Sequence, residues 1–187
     1  NASSTYTPYA TTNFAYDLVG NVSAMTDANG KRTTYQYDGL GRLRRTTFAD
    51  GSSKQVFYDD YGRTITTIDE NGHKKVQQKD WADRIVQVKE YNDYADEVLT
   101  TSITYDRLNN KVKVINPRGD ETRQVYDDLG RVVEVIYPAM PVVKPGATTE
   151  TTINPRVSFA YDAVGNKISE ISANGHASGE LGKYTTT

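Results

Sequence analysis

The sequence predicts an all-β chain built from tandem hairpins, on three observations. A Tyr-Asp dipeptide recurs every 21 residues, two turn signals fall within each interval, and short apolar alternation fills the spans between them. Tyr16-Asp17, Tyr37-Asp38 and Tyr58-Asp59 are 21 residues apart, and the next step of 21 reaches a worn copy, Lys79-Asp80. A step of 26 leads to Tyr105-Asp106, one of 21 to Tyr126-Asp127, and one of 35 to Tyr161-Asp162. The result is seven units, starting near 16, 37, 58, 79, 105, 126 and 161. The long steps contain insertions of 5 and 14 residues, near 91–99 and 138–155, at hairpin tips where added length costs little. Residues 1–187 read as a single repeat array, a fragment of a longer protein.

Each unit opens with a reversal. In Asp-x-x-Gly the Asp carboxylate accepts backbone hydrogen bonds from a type I turn, and Gly closes the turn where positive φ is wanted. The motif stands at Asp17 to Gly20, Asp38 to Gly41, Asp59 to Gly62, Asp127 to Gly130 and Asp162 to Gly165, whereas Asp83 and Asn109 replace the Gly after Asp80 and Asp106. A second Gly lies fourteen residues after each Tyr. It follows Asn or Asp at Gly30, Gly51, Gly72 and Gly175, a strong hairpin signal, and follows Arg at Gly119. The two units with insertions carry Asp93 and Met140 at that place.

Between the reversals lie two strands. The outgoing strand of the fourth to sixth units carries Val86 and Val88, Val112 and Val114, and Val133 and Val135, each pair two apart and so on one face. The returning strand ends apolar-x-Tyr: Phe14 with Tyr16, Tyr35 with Tyr37, Val56 with Tyr58, Ile103 with Tyr105 and Phe159 with Tyr161. Polar residues alternate with these, which predicts a sheet apolar on one side and wet on the other. No capped ten-residue helical period competes, and β-branched residues dominate even the run from Arg131 to Tyr137. One hairpin is marginal alone, so the units must stack, bringing each Tyr beside its equivalent in the next.

Composition narrows the function. Hydrophobic residues make up only 36%, with 14 Tyr against 4 Phe and 1 Trp, so any core is economical. Net charge is −2 with both signs interspersed, which argues against a nucleic-acid or anionic-membrane face. The chain has no Cys, which removes disulfides, thiolate nucleophiles and Cys-ligated metals. No apolar run approaches the ~18 residues of a membrane helix, so this segment is not expected to insert.

The six intact Tyr-Asp-x-x-[Gly/Asn]-[Arg/Asn] copies, with their 21-residue step and the Gly fourteen on, resemble the Rhs or YD repeat from residue 14 to about 180. That repeat is found in bacterial Rhs polymorphic toxins, Tc toxin shell subunits, wall-associated proteins and teneurins. The resemblance implies a long twisted antiparallel β ribbon forming part of a hollow shell. It further implies a secreted or cell-surface bacterial protein whose partners are the remaining repeats and an enclosed C-terminal effector. The self-cleaving Asp-Pro-x-Gly pattern of such toxins is missing here, so the segment reads as wall rather than protease or cargo. The alternative is an extracellular carbohydrate-binding or adhesion module, with glycans as partners.

No catalytic, metal or cofactor residue is expected. His73 and His176 both follow a turn Gly, in a slot held elsewhere by Lys31, Ser52 and Asp120. Asp27 to Gly30 and Asp69 to Gly72 echo a calcium loop but lack its third acidic position and distal Glu. Asp59-Asp60 and Asp127-Asp128 recur in register with the turn and read as turn acceptors and solvated charges. Arg42, Arg63 and Arg131, after the turn Gly, are expected to stack on a neighbouring Tyr or pair with a turn Asp. Unpaired strand edges predict self-association.

Overall fold

The computed structural model describes residues 10–92, 97–143, 148–173 and 185–186. Two compact units are present, the first Asn1–Asp83 with Lys89–Leu99, the second Arg84–Val88 with Thr100–Thr187. The strands β8 (Ile85–Asn92) and β9 (Glu97–Tyr105) contribute residues to both.

The first unit holds β1 (Asn13–Tyr16), β2 (Val22–Thr26), β3 (Arg32–Tyr37), β4 (Leu43–Thr47), β5 (Ser53–Asp59), β6 (Thr64–Ile68) and β7 (Lys74–Lys79). They pair antiparallel in chain order, each strand beside the one before it. This is the meander expected of short connections, since two-strand repeats leave no crossover to make. The repeat Tyr closes β1 and β3 at Tyr16 and Tyr37, stands one residue before the end of β5 at Tyr58, and gives way to Lys79 at the end of β7.

The second unit continues in the same manner. Residues of β9 pair with β10 (Lys111–Ile115), followed by β11 (Glu121–Tyr126), β12 (Val132–Ile136), β15 (Arg156–Tyr161), β16 (Lys167–Ile171) and β17 (Thr185–Thr186). The insertion near 138–155 forms a separate hairpin of β13 (Met140–Val143) and β14 (Glu150–Ile153). Sheet pairing resumes across it, with Ile136 opposite Arg156. Between β1 and β16 no described helix interrupts the strands.

Among the described residues only Ala24, at 4% exposure, is buried. The apolar residues at Val86, Val88, Val112, Val114, Val133 and Val135 are half-buried rather than enclosed. Main-chain pairing and edge-to-edge side-chain contact therefore carry more of the stability here than a dehydrated core does.

Both ends of the strands use one turn. At the Tyr-Asp end, the Gly20 and Gly41 amides donate to the carbonyls of Asp17 and Asp38 at 3.2 and 3.0 Å, and the Asp38 amide donates to the Arg42 carbonyl at 2.9 Å. At the other end Gly30 and Gly72 donate to the carbonyls of Asp27 and Asp69 at 3.0 and 3.1 Å. The hairpins signalled by Asn-Gly and Asp-Gly are present, and a two-residue turn would need positive φ at both central residues. Only the Gly has it, as at Gly30 (77°), Gly51 (87°), Gly72 (90°) and Gly119 (86°). The turn instead spans four residues, and its first is again an acceptor: Asp27, Asp69 or Asn116. Gly175 and His176 lie outside the described residues, as do Asp93 and the tip of the first insertion.

The third copy corrects the sequence reading. Gly62 does not adopt positive φ; Arg63 does, at 49°. In the first, second, fifth, sixth and seventh copies the register slips beside the Tyr, as between Gln36 and Tyr37, but β5 and β6 stay in step through Asp59 opposite Thr64. One more ladder position is filled, so the left-handed residue moves from the fourth to the fifth place. A Cβ at Gly62 would meet Asp59 Oδ2, so a side chain there would displace the carboxylate that accepts from the Gly62 amide. Asp83 and Asn109, the replacements for Gly, do take left-handed φ of 63° and 73°, which these two residue types tolerate best.

Candidate functional site

The chemistry of the repeat is concentrated at the Tyr-Asp turns. In each regular copy the Asp Oδ1 accepts two backbone amides, from Val19 and Asn21 at Asp17, Leu40 and Arg42 at Asp38, Leu108 and Asn110 at Asp106, Leu129 and Arg131 at Asp127, and Val164 and Asn166 at Asp162. The Oδ2 accepts from the side chain of the fifth residue: Arg42 and Arg131 Nε at 2.7 Å, or Asn21, Asn110 and Asn166 Nδ2 at 2.8 to 3.0 Å. Asn and Arg are thus equivalent for the turn itself. These bonds favour the charged form and hold the carboxyls below their ordinary value of 3.8, through the Asn side chain first at Asp17, Asp106 and Asp162, and the Arg backbone amide first at Asp38 and Asp127.

The Tyr works between copies. The Tyr37 hydroxyl donates to the Val22 carbonyl at 2.9 Å, Tyr58 to Leu43 at 3.3 Å, Tyr105 to Ile85 at 3.1 Å, Tyr126 to Lys111 at 3.0 Å and Tyr161 to Val132 at 2.9 Å. Every acceptor is the sixth residue after the preceding repeat position. The sequence distance is 15 residues in the plain copies, 20 and 29 where an insertion intervenes, so the contact keeps phase with the fold. The bond completes a carbonyl where the strand ladder slips, and burial pushes the Tyr126 phenol up.

Arg adds a second link. The Arg42 guanidinium lies 4.2 Å from the Tyr58 ring centroid, Arg84 4.7 Å from Tyr105 and Arg131 4.8 Å from Tyr161. Arg42 also clamps Asp60 through two nitrogens at 2.6 and 3.0 Å, and Arg131 reaches the Asp162 carbonyl at 3.0 Å. The two roles expected of this Arg, stacking and pairing, are both present. Tyr37, Tyr58, Tyr105, Tyr126 and Tyr161 each reach a carbonyl of the preceding copy, and a guanidinium lies on the rings of Tyr58, Tyr105 and Tyr161. Tyr16, in the first copy, is 62% exposed.

The worn fourth copy is repaired by residues the sequence did not announce. Lys79 lacks the phenol, and the neighbouring Gln78 amide donates to the Gly62 and Lys79 carbonyls at 2.8 and 3.1 Å. Arg63 stacks on Trp81 at 3.5 Å instead of on a Tyr. Lys79 pairs with Asp83 at 2.8 Å.

Elsewhere the surface has little built chemistry. In the first unit a shallow groove of about 480 Å³ is lined by Val56, Ile68, Tyr91 and Leu99, with Lys74 4.5 Å above the Tyr91 ring. The His73 ring contacts Asp69 at 2.9 Å. Asp59 and Asp127 act as turn acceptors, Asp60 pairs with Arg42, and Asp128 is exposed. Among the described residues no group of three or more His, Asp or Glu could hold a metal ion, and no helix is long and apolar enough to cross a membrane.

These features define a class: a meander of antiparallel hairpins in which a Tyr-Asp-x-x-Gly-Arg edge ties each repeat to the one before. Residues 16–53 match the family model described as RHS Repeat. The fold is similar to that of the Photorhabdus luminescens Tc holotoxin pore carrying a TccC3 mutation, at TM-score 0.64 and 18% identity over 86% of this chain and 9% of that one. It is also similar to TcdB2-TccC3-Cdc42 and to TcdB2-TccC3 without its hypervariable C-terminal region, each at TM-score 0.67 and 17% identity over 87% of this chain and 9% of the other. The chain therefore spans about a tenth of the length of these relatives. No curated protein matches it.

Proposed function

We propose that the chain is a wall segment of an Rhs-type shell that encloses a C-terminal effector, in a secreted or cell-surface bacterial protein, and that its seven copies belong to one array. The carrying observation is the inter-repeat clasp: in five copies the Tyr hydroxyl bonds a carbonyl of the copy before, and at Tyr58, Tyr105 and Tyr161 an Arg of that copy lies on the ring. Antiparallel sheet in which Ala24 alone among the described residues is buried suits a wall better than an enzyme scaffold. The likeness to Tc structures supports the reading at the level of fold.

The test is protease protection of the longer protein that contains this segment. A C-terminal domain that resists trypsin until the repeats are opened by denaturant supports enclosure. One digested at the same rate as its isolated form removes it. Glycan binding is the alternative role, and its best location is the groove beside Tyr91. Selective binding on a glycan array that vanishes in Tyr91→Ala would favour adhesion instead.

A further inference from the structure

The two ends of the hairpins share a turn yet differ in what they show to solvent. At the third turn position the Gly-bearing end carries Asn29, Asp50, Asn71 and Arg118, all exposed. The Tyr-Asp end carries Val19, Leu40 and Tyr61 in the first unit, and Leu108, Leu129 and Val164 in the second, all exposed as well. The turn accepts polar residues there, so the fold does not require the apolar ones. In the first unit Leu18 and Trp81 extend the set, with exposures of 75% at Leu40, 98% at Tyr61 and 89% at Trp81, whose ring meets the Arg63 guanidinium.

Several charges along this edge are engaged within it. Arg42 holds both Asp38 and Asp60, and Arg63 is laid on Trp81. Successive tips stand about 10 Å apart, two strand spacings, so the row has a regular pitch that a copy of itself can interleave. Leu18, Val19, Leu40, Tyr61 and Trp81 together offer on the order of 700 Å² of apolar surface, taking roughly 200 Å² for each aromatic ring. That is comparable with the ~800 Å² per partner of a stable interface and above what a monomer ordinarily exposes.

We infer that the Tyr-Asp turn edge of the first unit is a protein-docking edge, and that its occupant in the isolated chain is the same edge of a second copy. Association then runs through turn tips, with the strand edge at β1 uninvolved. The test is sedimentation velocity of the 187-residue chain from about 1 to 200 µM, beside Leu40→Asp/Tyr61→Asp, with far-UV circular dichroism as the folding control. Should that variant unfold, the milder Leu40→Ser/Leu18→Ser replaces it. Asn29→Asp/Asn71→Asp adds the same charge at the opposite edge, and Phe14→Lys disturbs β1.

The expected result is a dimer whose dissociation constant rises at least tenfold in the folded tip variants and is unchanged in the other two. A wild-type monomer throughout the range overturns the proposal. So does a dimer weakened by Phe14→Lys and indifferent to the tips, which would assign association to strand pairing. Flotation of a monomeric wild-type chain with phosphatidylcholine vesicles, lost in the tip variant, would assign the edge to lipid and likewise overturn it.

Discussion

Removal of the Tyr37 phenol isolates the clasp between the first and second copies. Tyr37 is half-buried, and its hydroxyl donates to the Val22 carbonyl at 2.9 Å. A neutral hydrogen bond of this kind contributes about 1 kcal/mol net, so Tyr37→Phe should cost about that amount. Tyr37→Ala removes the ring as well. Full burial would make this about 3 to 5 kcal/mol, and half-burial with open space for relaxation reduces it to about 2 to 3. Because repeats are stabilised by their neighbours, the loss should appear as local fraying of β1 and β2 before the rest unfolds. Urea titration followed by circular dichroism reads the total, and amide exchange at Ala24 and Thr34, which face each other across β2 and β3, reads the location. If Tyr37→Phe matches wild type in both, water replaces the hydroxyl contact at no cost and the clasp is ornament. If Tyr37→Ala costs under about 0.5 kcal/mol, the ring does not hold the copies together.

Other outcomes follow from the same geometry. Arg131→Asn keeps the cap on Asp127, as Asn110 does on Asp106, but gives up the Tyr161 ring and the Asp162 carbonyl; a loss of about 1 kcal/mol in urea titration is expected, against none if only the cap counts. Asp83→Gly relieves a left-handed side-chain residue at φ 63° while giving up an exposed pair with Lys79, and should stabilise by about 0.5 kcal/mol; a lower melting temperature would mean that the pair dominates. The turn carboxyls of Asp17, Asp38, Asp106, Asp127 and Asp162 are depressed below 3.8 in the folded chain, so the folded state binds fewer protons than the unfolded one. Their stabilisation is complete above that value and is lost as pH falls through the folded values. The melting temperature should hold between about pH 8 and 5 and decline below about 4.

Much of the fold was legible because each signal was local. Tyr-Asp spacing located the strand ends at Tyr16, Tyr37, Tyr58, Tyr105, Tyr126 and Tyr161, and the Pro-rich insertion proved a separate hairpin. What escaped was whatever depends on the partner strand. The shared turn at the Gly end was hidden because its first acceptor varies among Asp27, Phe48, Asp69 and Asn116. The carbonyl that each Tyr reaches carries no side-chain signature, so its regular sixth position could not be read from residue types. Gly62 and Gly41 look identical in sequence, and only the extra rung at Asp59 and Thr64 separates them. The repair by Gln78 and Trp81 uses ordinary residues in an ordinary strand and turn.

The clasp and the second insertion sit at opposite ends of the strands. A Tyr hydroxyl finds its carbonyl whether 15, 20 or 29 residues separate them, because the measured distance runs across the sheet and not along the chain. Such a chain has a reading frame at one margin and a free text at the other. New loops, even a whole hairpin like β13–β14, can be written into the free margin without shifting the frame. Loops of different length can therefore stand at that margin while the pairing across the strands stays in step.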